Sequence, residues 1–344
     1  MTLTESSFET MFASYAAITS EAVATHLPSA GGAGSLGDMM RDYPRRGGKA
    51  IRPALCLATC EAFGGELRDA LPSAVAMELL HNAFLVHDDV EDGSLLRRGR
   101  PTLHARWDVP SAINAGDGLA LLGQKALRAN RDHLGGRMAD LIAQEFEEMA
   151  RHTVEGQAVE LAWRRDGVFD LTPEDYLDLI LRKTCWYTTI HPLRVGALIG
   201  GWGTVDPDPL ARFGFYLGAA FQIQDDMLNL TGEVERYGKE RDGDLYEGKR
   251  TLLLIHLLAN AAPDERRWLE AFLRAERTDR TPDDVDKVRR LLDEYGSLEF
   301  TRRFGEGIAE AATAAFQVAF ADAPDSPARR FVAELIPYML ERSE

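Results

Sequence analysis

Asp88-Asp89-Val90-Glu91-Asp92 closes one long apolar run with helical spacing, and Asp225-Asp226-Met227-Leu228-Asn229 closes another. Side chains four apart share a helical face, so Asp88 pairs with Asp92 and Asp225 with Asn229. On an ideal helix His81, Phe84, Asp88 and Asp92 fall within about 80° of arc, at roughly 100° per residue. Phe221, Gln222, Asp225 and Asn229 form a slightly wider stripe. Each run thus carries polar oxygens at one end of a face and bulky apolar side chains a turn deeper. Taken alone, either cluster reads as an acidic helix end in water. Facing each other across a cavity, they become a cage of hard oxygen ligands suited to Mg²⁺, which keeps several waters and is shared between carboxylates and substrate phosphates.

A diphosphate held in such a cage needs cations, and this chain supplies them locally against its overall balance. Its 344 residues carry a formal net charge of −16. That balance argues against a nucleic-acid partner, because affinity for a phosphate backbone comes from clustered Lys and Arg. Cations nevertheless gather in Gly47-Gly48-Lys49-Ala50-Ile51-Arg52-Pro53, in Arg97-Arg98-Gly99-Arg100, at Lys183-Thr184, and at Lys239 and Lys249. Much of the remaining acidity, Glu145, Glu147 and Glu148 for instance, reads as solvated helix surface.

The wider pattern is helical. Ala74 to Val86, Ala112 to Arg131, Met138 to Ala162, Pro173 to Ile190 and Ala211 to Leu230 repeat apolar residues every three or four positions. Thr172-Pro173-Glu174-Asp175 and Thr281-Pro282-Asp283-Asp284 read as N-caps followed by proline and first-turn acids. Strand alternation and solenoid repeats are not evident. Hydrophobic residues make up 45%, enough for a substantial core, and no stretch is apolar enough to span a membrane. Met1 to Glu21 lacks the pattern of a secretory signal. Cys56, Cys60 and Cys185 fit neither a disulfide framework nor a zinc site and read as buried thiols of a cytoplasmic protein. The expectation is a single all-α domain, a large bundle with its cavity in the core.

These motifs, in this order, resemble the trans-isoprenyl diphosphate synthases of the polyprenyl synthetase family, from about Arg41 to the C-terminal helices. Geranylgeranyl diphosphate synthases are the most similar. The first aspartate-rich motif with its trailing Arg-Arg-Gly-Arg-Pro-Thr is the most specific element. The resemblance implies an isoprenoid-synthase-like helical bundle with a deep central cavity and the acidic motifs facing at its mouth. It implies a domain over 41–344 preceded by a helical and loop segment over 1–40, a homodimer, and Mg²⁺ as cofactor, three ions with substrate bound. The implied substrates are isopentenyl diphosphate and allylic prenyl diphosphates, joined head to tail.

Residue by residue, the resemblance makes Asp88, Asp92 and Asp225 metal ligands, with Asp89, Asp226 and Asn229 as ligands or their immediate supports. Lys49, Arg52, His81 and Arg98 match positions that hold isopentenyl diphosphate. Arg97, Lys183, Gln222, Lys239 and Lys249 match positions that hold the allylic diphosphate. Lys183 and Thr184 join the three aspartates as the catalytic set, with Thr184 near the nascent cation. Gln157 and Glu160 match a polar pair lining the cavity, and the segment from Gly238 to Asp244 reads as a loop able to close over the phosphates.

The chain departs from the family pattern in three places. Asn229 replaces a common third aspartate, Ala50 a common basic residue, and Glu160 a common aspartate. Product length is expected to depend on Leu80, Ala83 and Phe84 beneath the first motif. One aromatic beside one small residue points to a twenty-carbon product, geranylgeranyl diphosphate, with farnesyl diphosphate as the alternative. A terpene cyclase or unusual prenyl coupler would not need the cations at Lys49, Arg52 and Arg97-Arg98, and a non-catalytic partner subunit would be expected to lose metal ligands.

Overall fold

The computed structural model describes residues 5–29, 31–32, 34–231 and 242–341. Helical spacing in the sequence becomes helices with identifiable stops. The first are α1 (Glu5–His26), α2 (Leu36–Arg45), α3 (Ile51–Ala62) and α4 (Leu67–Asp92). Helix α4 ends where Gly93 adopts a left-handed φ of 62° and turns its N–H back onto the Val90 carbonyl. Glycine suits that C-terminal position because it has no Cβ to clash. A two-residue ladder follows, β1 (Leu96–Arg97) against β2 (Arg100–Pro101). It is the only strand pairing among the described residues, so the all-α expectation holds.

Next come α5 (Leu103–Arg106), α6 (Val109–Arg128), α7 (Asn130–Leu134), α8 (Gly136–Arg165) and α9 (Pro173–Ile180). A π-helical segment (Leu181–Ile190) runs from α9 into α10 (His191–Gly200), and α11 (Pro207–Thr231) follows. The remainder is α12 (Gly243–Glu247), α13 (Leu252–Asn260), α14 (Pro263–Arg274), α15 (Pro282–Glu294), α16 (Ser297–Ala319) and α17 (Pro327–Glu341). Both helix starts read from Thr-Pro-acid sequences are present. Thr172 and Asp175 form a reciprocal capping box on α9, and Thr281 and Asp284 do the same on α15.

One expected element differs. Pro173 to Ile190 reads as one regular helix, yet after Ile180 it widens into π-helix. A Cβ on Gly156 of α8 would stand 2.7 Å from the Lys183 Cα, one on Gly214 of α11 2.8 Å from the Ile190 Cα, and one on Gly218 3.0 Å from the Cys185 Cα. Real side chains do not pack that closely, so glycine at these positions lets α8 and α11 close directly on the segment's backbone.

The main core unites α1 to α4, α6, α8, α10, α11, α16 and α17. Helix α1 belongs to it: Phe8 stacks on Phe331 of α17, Phe12 and Tyr15 meet that ring edge-on, and Phe8 and Phe12 also meet Tyr338. A second core, built from α13, α14 and α15 with Phe169, Leu230 and Leu245, forms a C-terminal module. Buried Arg280 ties this module to α12. It donates to the carbonyls of Phe272 at 3.1 Å, Leu273 at 3.0 Å and Ala275 at 2.8 Å, and also to that of Tyr246 in α12. Cys56, Cys60 and Cys185 are free and buried, as expected. No helix among the described residues is long and apolar enough to cross a membrane.

His191 opens α10 in the middle of the core, beside the edge of Phe146. Burial and the nearby Arg194 guanidinium hold its imidazole down at about 3. In the unfolded chain it takes a proton near pH 6.5. Between those values the unfolded state binds more protons, so this group's contribution to stability is full above pH 6.5 and is lost as pH falls. His191→Gln should therefore flatten the loss of stability between about pH 6.5 and pH 4, followed by urea unfolding at several pH values. An unchanged pH slope would assign the acid sensitivity to other groups.

Candidate active site

A cavity of about 790 Å³ runs into the bundle. Volumes of 300–1,000 Å³ are typical of ligand pockets. Its walls come from the start of α3, from α4, α8, α9, the π-helical segment and α11, and from residues 244–251. Asp88 and Asp225 line it from two different helices, and Lys49, Arg52, His81, Phe84, Arg97, Arg98, Gln157, Glu160, Lys183, Thr184, Gln222, Asp226 and Lys249 line it as well. The sequence spacing therefore brings nearly all of its marked residues to one place. Lys239 lies outside the described residues, as does the 238–241 part of the expected closing loop.

One end of the cavity is built on Arg52. It donates to Thr188 Oγ1 at 2.9 Å, lies 3.3 Å from His81 Nε2, and stacks over the Tyr187 ring at 4.2 Å. Burial and the surrounding Arg52, Arg98 and Arg97 charges hold His81 well below the usual histidine range, so its neutral ring accepts from Arg52. Arg98 has a left-handed φ of 52°. Its guanidinium lies where a Cβ on Gly48 would be, which explains the Gly-Gly before Lys49. Ala50, at the departure from the family pattern, has a left-handed φ of 52° and starts α3.

The first acidic cluster divides its labour. Asp88 faces the cavity, with Lys183 Nζ at 3.7 Å and Arg97 at 3.6 Å. Asp89 is fully buried and points the other way. One of its oxygens accepts from the Tyr43 hydroxyl and the other from Arg97 Nε at 2.9 Å. Asp89 is thereby removed from the ligand positions and becomes the anchor that fixes Arg97. Asp92 does not follow Asp88 onto the cavity wall. It lies behind it, paired with Lys249 at 2.8 Å and Arg164 at 2.9 Å. Burial alone would raise its carboxyl, but Lys249, Lys183 and Arg164 hold it below the usual carboxylate range.

The second cluster is organised differently. Asn229 accepts the Asp244 N–H at 3.0 Å on its side-chain oxygen and so braces α12, the supporting one of the two roles expected of it. An amide does this without adding another charge beside Asp225, Asp226 and Asp244. Asp226 accepts from Tyr176 at 2.8 Å and from Gln222 at 2.7 Å, and Gln222 in turn accepts from Thr184 Oγ1 at 2.9 Å. Burial and the neighbouring Asp244 carboxylate push Asp226 up to about 8. Glu160 uses its longer reach to pair with Lys183 at 2.6 Å. Burial would lower Lys183, but Glu160 and Asp88 reverse this and raise it.

A family model described as polyprenyl synthetase matches residues 34–292. The chain belongs to the polyprenyl synthetase family. Over 224 residues it is 38% identical to a geranylgeranyl diphosphate synthase of Sulfolobus acidocaldarius, an alignment that covers 64% of this chain and 66% of that relative. Among solved structures it is similar to the geranylgeranyl pyrophosphate synthetase of Pyrococcus horikoshii, with a TM-score of 0.84, 31% identity, and coverage of 98% of this chain and 99% of that one. It is also similar to a polyprenyl synthase of Caulobacter crescentus complexed with calcium and isoprenyl diphosphate. That pair has a TM-score of 0.86 and 26% identity, and covers 100% of this chain and 99% of the other.

In this polyprenyl synthetase two of the expected chain-length residues leave the wall. Leu80 and Ala83 are buried but do not line the cavity. Helix phase explains this, because Ala76 and Leu80 face Gly123 of α6 and His87 faces Gly116 of the same helix. Ala83 falls on that stripe, while Phe84 turns inward to meet Tyr187 edge-on at 5.9 Å. Residues without a motif of their own complete the wall, among them Glu78, Glu91, Tyr176, Tyr187 and Asp244. Glu91 accepts from Gln157 at 2.5 Å. Asp244 had a sequence signal in its place in the Gly-rich acidic loop, and Glu91 in its place within the first acidic cluster.

The donor set fits a divalent cation bound jointly with phosphate. Among the described residues no three of His, Cys, Asp and Glu stand close enough to form a ready-made ligand set. Hard oxygens are instead divided between walls, and Mg²⁺ commonly completes its shell with waters and substrate phosphates. Asp88 and Asp225, which line the cavity from two different helices, are the carboxylates through which a cation and a phosphate would be shared. Asp88→Ala or Asp225→Ala should weaken joint binding of Mg²⁺ and inorganic pyrophosphate by about tenfold and lower turnover at least about 10²-fold, the scale of one lost preorganised electrostatic group. Calorimetry and steady-state rates check this, and near-wild-type values in both variants would overturn the assignment.

Proposed function

We propose that this polyprenyl synthetase is a Mg²⁺-dependent prenyltransferase that condenses isopentenyl diphosphate head to tail with an allylic diphosphate. The observation that carries the reading is one cavity lined both by Lys49, Arg52 and Arg98 and by Arg97, Lys183 and Lys249, together with the acidic Asp88 and Asp225. A terpene cyclase needs only one such set. Lys49, Arg52 and Arg98 bind the isopentenyl diphosphate, the guanidinium groups by forked hydrogen bonds and Lys49 by its point charge. Arg97 and Lys183, with Lys249 and the Lys239 expected from sequence, hold the allylic diphosphate.

Asp88, Asp92 and Asp225 would hold Mg²⁺, with three ions in the substrate complex, and Asp89, Asp226 and Asn229 support them. Bound Mg²⁺ supplies charge neutralisation and Lewis acidity at the diphosphate. The allylic C–O bond breaks and its electron pair leaves with the diphosphate. The isopentenyl double bond then forms the new C–C bond, and proton loss gives the trans double bond. Thr184 faces the developing cation, and the walls at Phe84, Tyr187 and Phe221 exclude water that would trap it as an alcohol.

The product is geranylgeranyl diphosphate. Support comes from the Sulfolobus and Pyrococcus relatives, which carry that name, and from Phe84 as the one expected chain-length residue that lines the cavity. The working molecule is a cytoplasmic homodimer formed by the domain over 41–344 with its N-terminal segment. Support for the dimer is the exposed apolar row Val109, Ile113 and Leu121 on α6.

Purified protein given dimethylallyl and isopentenyl diphosphates should yield mainly a twenty-carbon prenyl alcohol after dephosphorylation and chromatography. A dominant fifteen-carbon product would replace the assignment with farnesyl diphosphate synthase. Phe84→Ala should lengthen the product by at least one five-carbon unit, and an unchanged length would remove Phe84 from the floor.

A further inference from the structure

Tyr176 belongs to no motif. It enters the cavity from α9, whose start is fixed by the Thr172–Asp175 capping box. Its ring is 2% exposed and packs in a cluster with Ile180, Cys185, Ile223, Leu252 and Ile255, so the hydroxyl has little freedom to move. That hydroxyl donates to Asp226 Oδ2 at 2.8 Å. Gln222 Nε2 donates to the other oxygen, Oδ1, at 2.7 Å, and Thr184 Oγ1 donates to Gln222 Oε1 at 2.9 Å. The four side chains come from three elements: α9, α11 and the π-helical segment.

The chain of donors has one sense, and it starts at Asp226. Asp226 Oδ1 accepts from the Gln222 amide whichever way the proton between Oδ2 and the Tyr176 hydroxyl lies, so Gln222 must offer its NH₂ there. The amide oxygen is then left for Thr184, whose only proton is taken by it. The lone pairs of the Thr184 hydroxyl are thereby left for other partners along the cavity wall. We propose that Tyr176 is a positioning residue for the allylic half of the condensation: through Asp226 and Gln222 it fixes Thr184 so that the hydroxyl presents lone pairs, never its proton, to the ionising carbon. Without the Tyr176 hydroxyl, Asp226 can rotate, the Gln222 amide can flip, and Thr184 can turn its proton inward. The isopentenyl end, built on Arg52, His81 and Thr188, has no bond in this chain.

The inference rests on the proposed condensation and is tested together with it. Tyr176→Phe removes one oxygen and keeps the packed ring. It should lower kcat roughly 10-fold, the scale of one buried hydrogen bond to a charged group. The KM for isopentenyl diphosphate should stay within about twofold, because the lost bond belongs to the allylic half. Calorimetry without turnover gives a second reading: affinities for dimethylallyl thiolodiphosphate, an unreactive allylic analogue, and for isopentenyl diphosphate should both stay within about twofold, because neither carries the developing cation.

Thr184→Val should cost a similar factor, Thr184→Ser should stay close to wild type, and the Tyr176→Phe/Thr184→Val double variant should lose little more than the larger single. Unchanged kcat in Tyr176→Phe, additive losses in the double variant, or an equal rise in both KM values would overturn the inference while leaving the condensation intact. Failure of the wild-type chain to join the two substrates would overturn the functional reading, and this inference with it. If Tyr176→Phe does not fold, judged by its melting curve, Thr184→Val against Thr184→Ser still decides whether a hydroxyl is required there, and equal activity in both would overturn the proposal.

Discussion

The π-helical backbone from Leu181 to Ile190 is gripped without intervening side chains, and the cavity depends on that contact. Gly156 touches it from α8, Gly214 and Gly218 from α11. The close approach brings Lys183 beside Asp88 on α4 and Glu160 on α8, and Thr184 beside Gln222 on α11. Two long helices, α8 and α11, are thereby set at fixed distances from the segment by contacts of backbone on glycine, and α4 joins them through the Lys183–Asp88 pair. A methyl group at Gly156 would have to displace the main chain of Lys183 itself, which no side-chain rotation can avoid.

Charge then explains which residues stand at the surface of the cavity and which stand behind it. Asp89, Arg97 and Tyr43 form a buried unit whose partners are all satisfied, so it holds its shape whatever enters the cavity. Removing one partner from such a unit leaves an uncompensated buried charge at a cost of about 3–5 kcal/mol. Asp92 sits among cations and Asp226 among carboxylates, so the two acidic ends begin from opposite electrostatic states. A diphosphate and its cations would draw on both.

The helical class, the capping boxes at Thr172 and Thr281, the facing acidic stripes and most of the cationic wall were legible in the sequence, because each is written in local spacing. What the sequence did not disclose depends on which side of a helix meets a neighbour. Leu80 and Ala83 lie within one turn of Phe84, yet glycines on α6 draw their stripe away from the cavity. Asp89 and Asn229 are of the right type to bind metal but are occupied by Tyr43, Arg97 and the Asp244 N–H. The π-helix has no local signature in the sequence, and the glycines that let α8 and α11 close on it lie far away along the chain. Tyr176 and Tyr187 carry no motif, and only the fold brings them to the wall.

Arg280 joins parts of the molecule that the helix list would keep separate. Its guanidinium gathers carbonyls from the end of α14 and from α12, and burial with Arg164 and Arg277 nearby lowers it only to about 10, so it stays charged at neutral pH. Carbonyls satisfied by one buried cation cannot be released singly without stranding that charge. Helix α12, which bears Asp244 and Glu247 and leads directly to Lys249, is therefore bound into one cooperative unit with the C-terminal module. Amide hydrogens of α12 and of the end of α14 should exchange with solvent in the same opening event, so the slow breathing of a distant surface module sets how often one wall of the cavity comes apart.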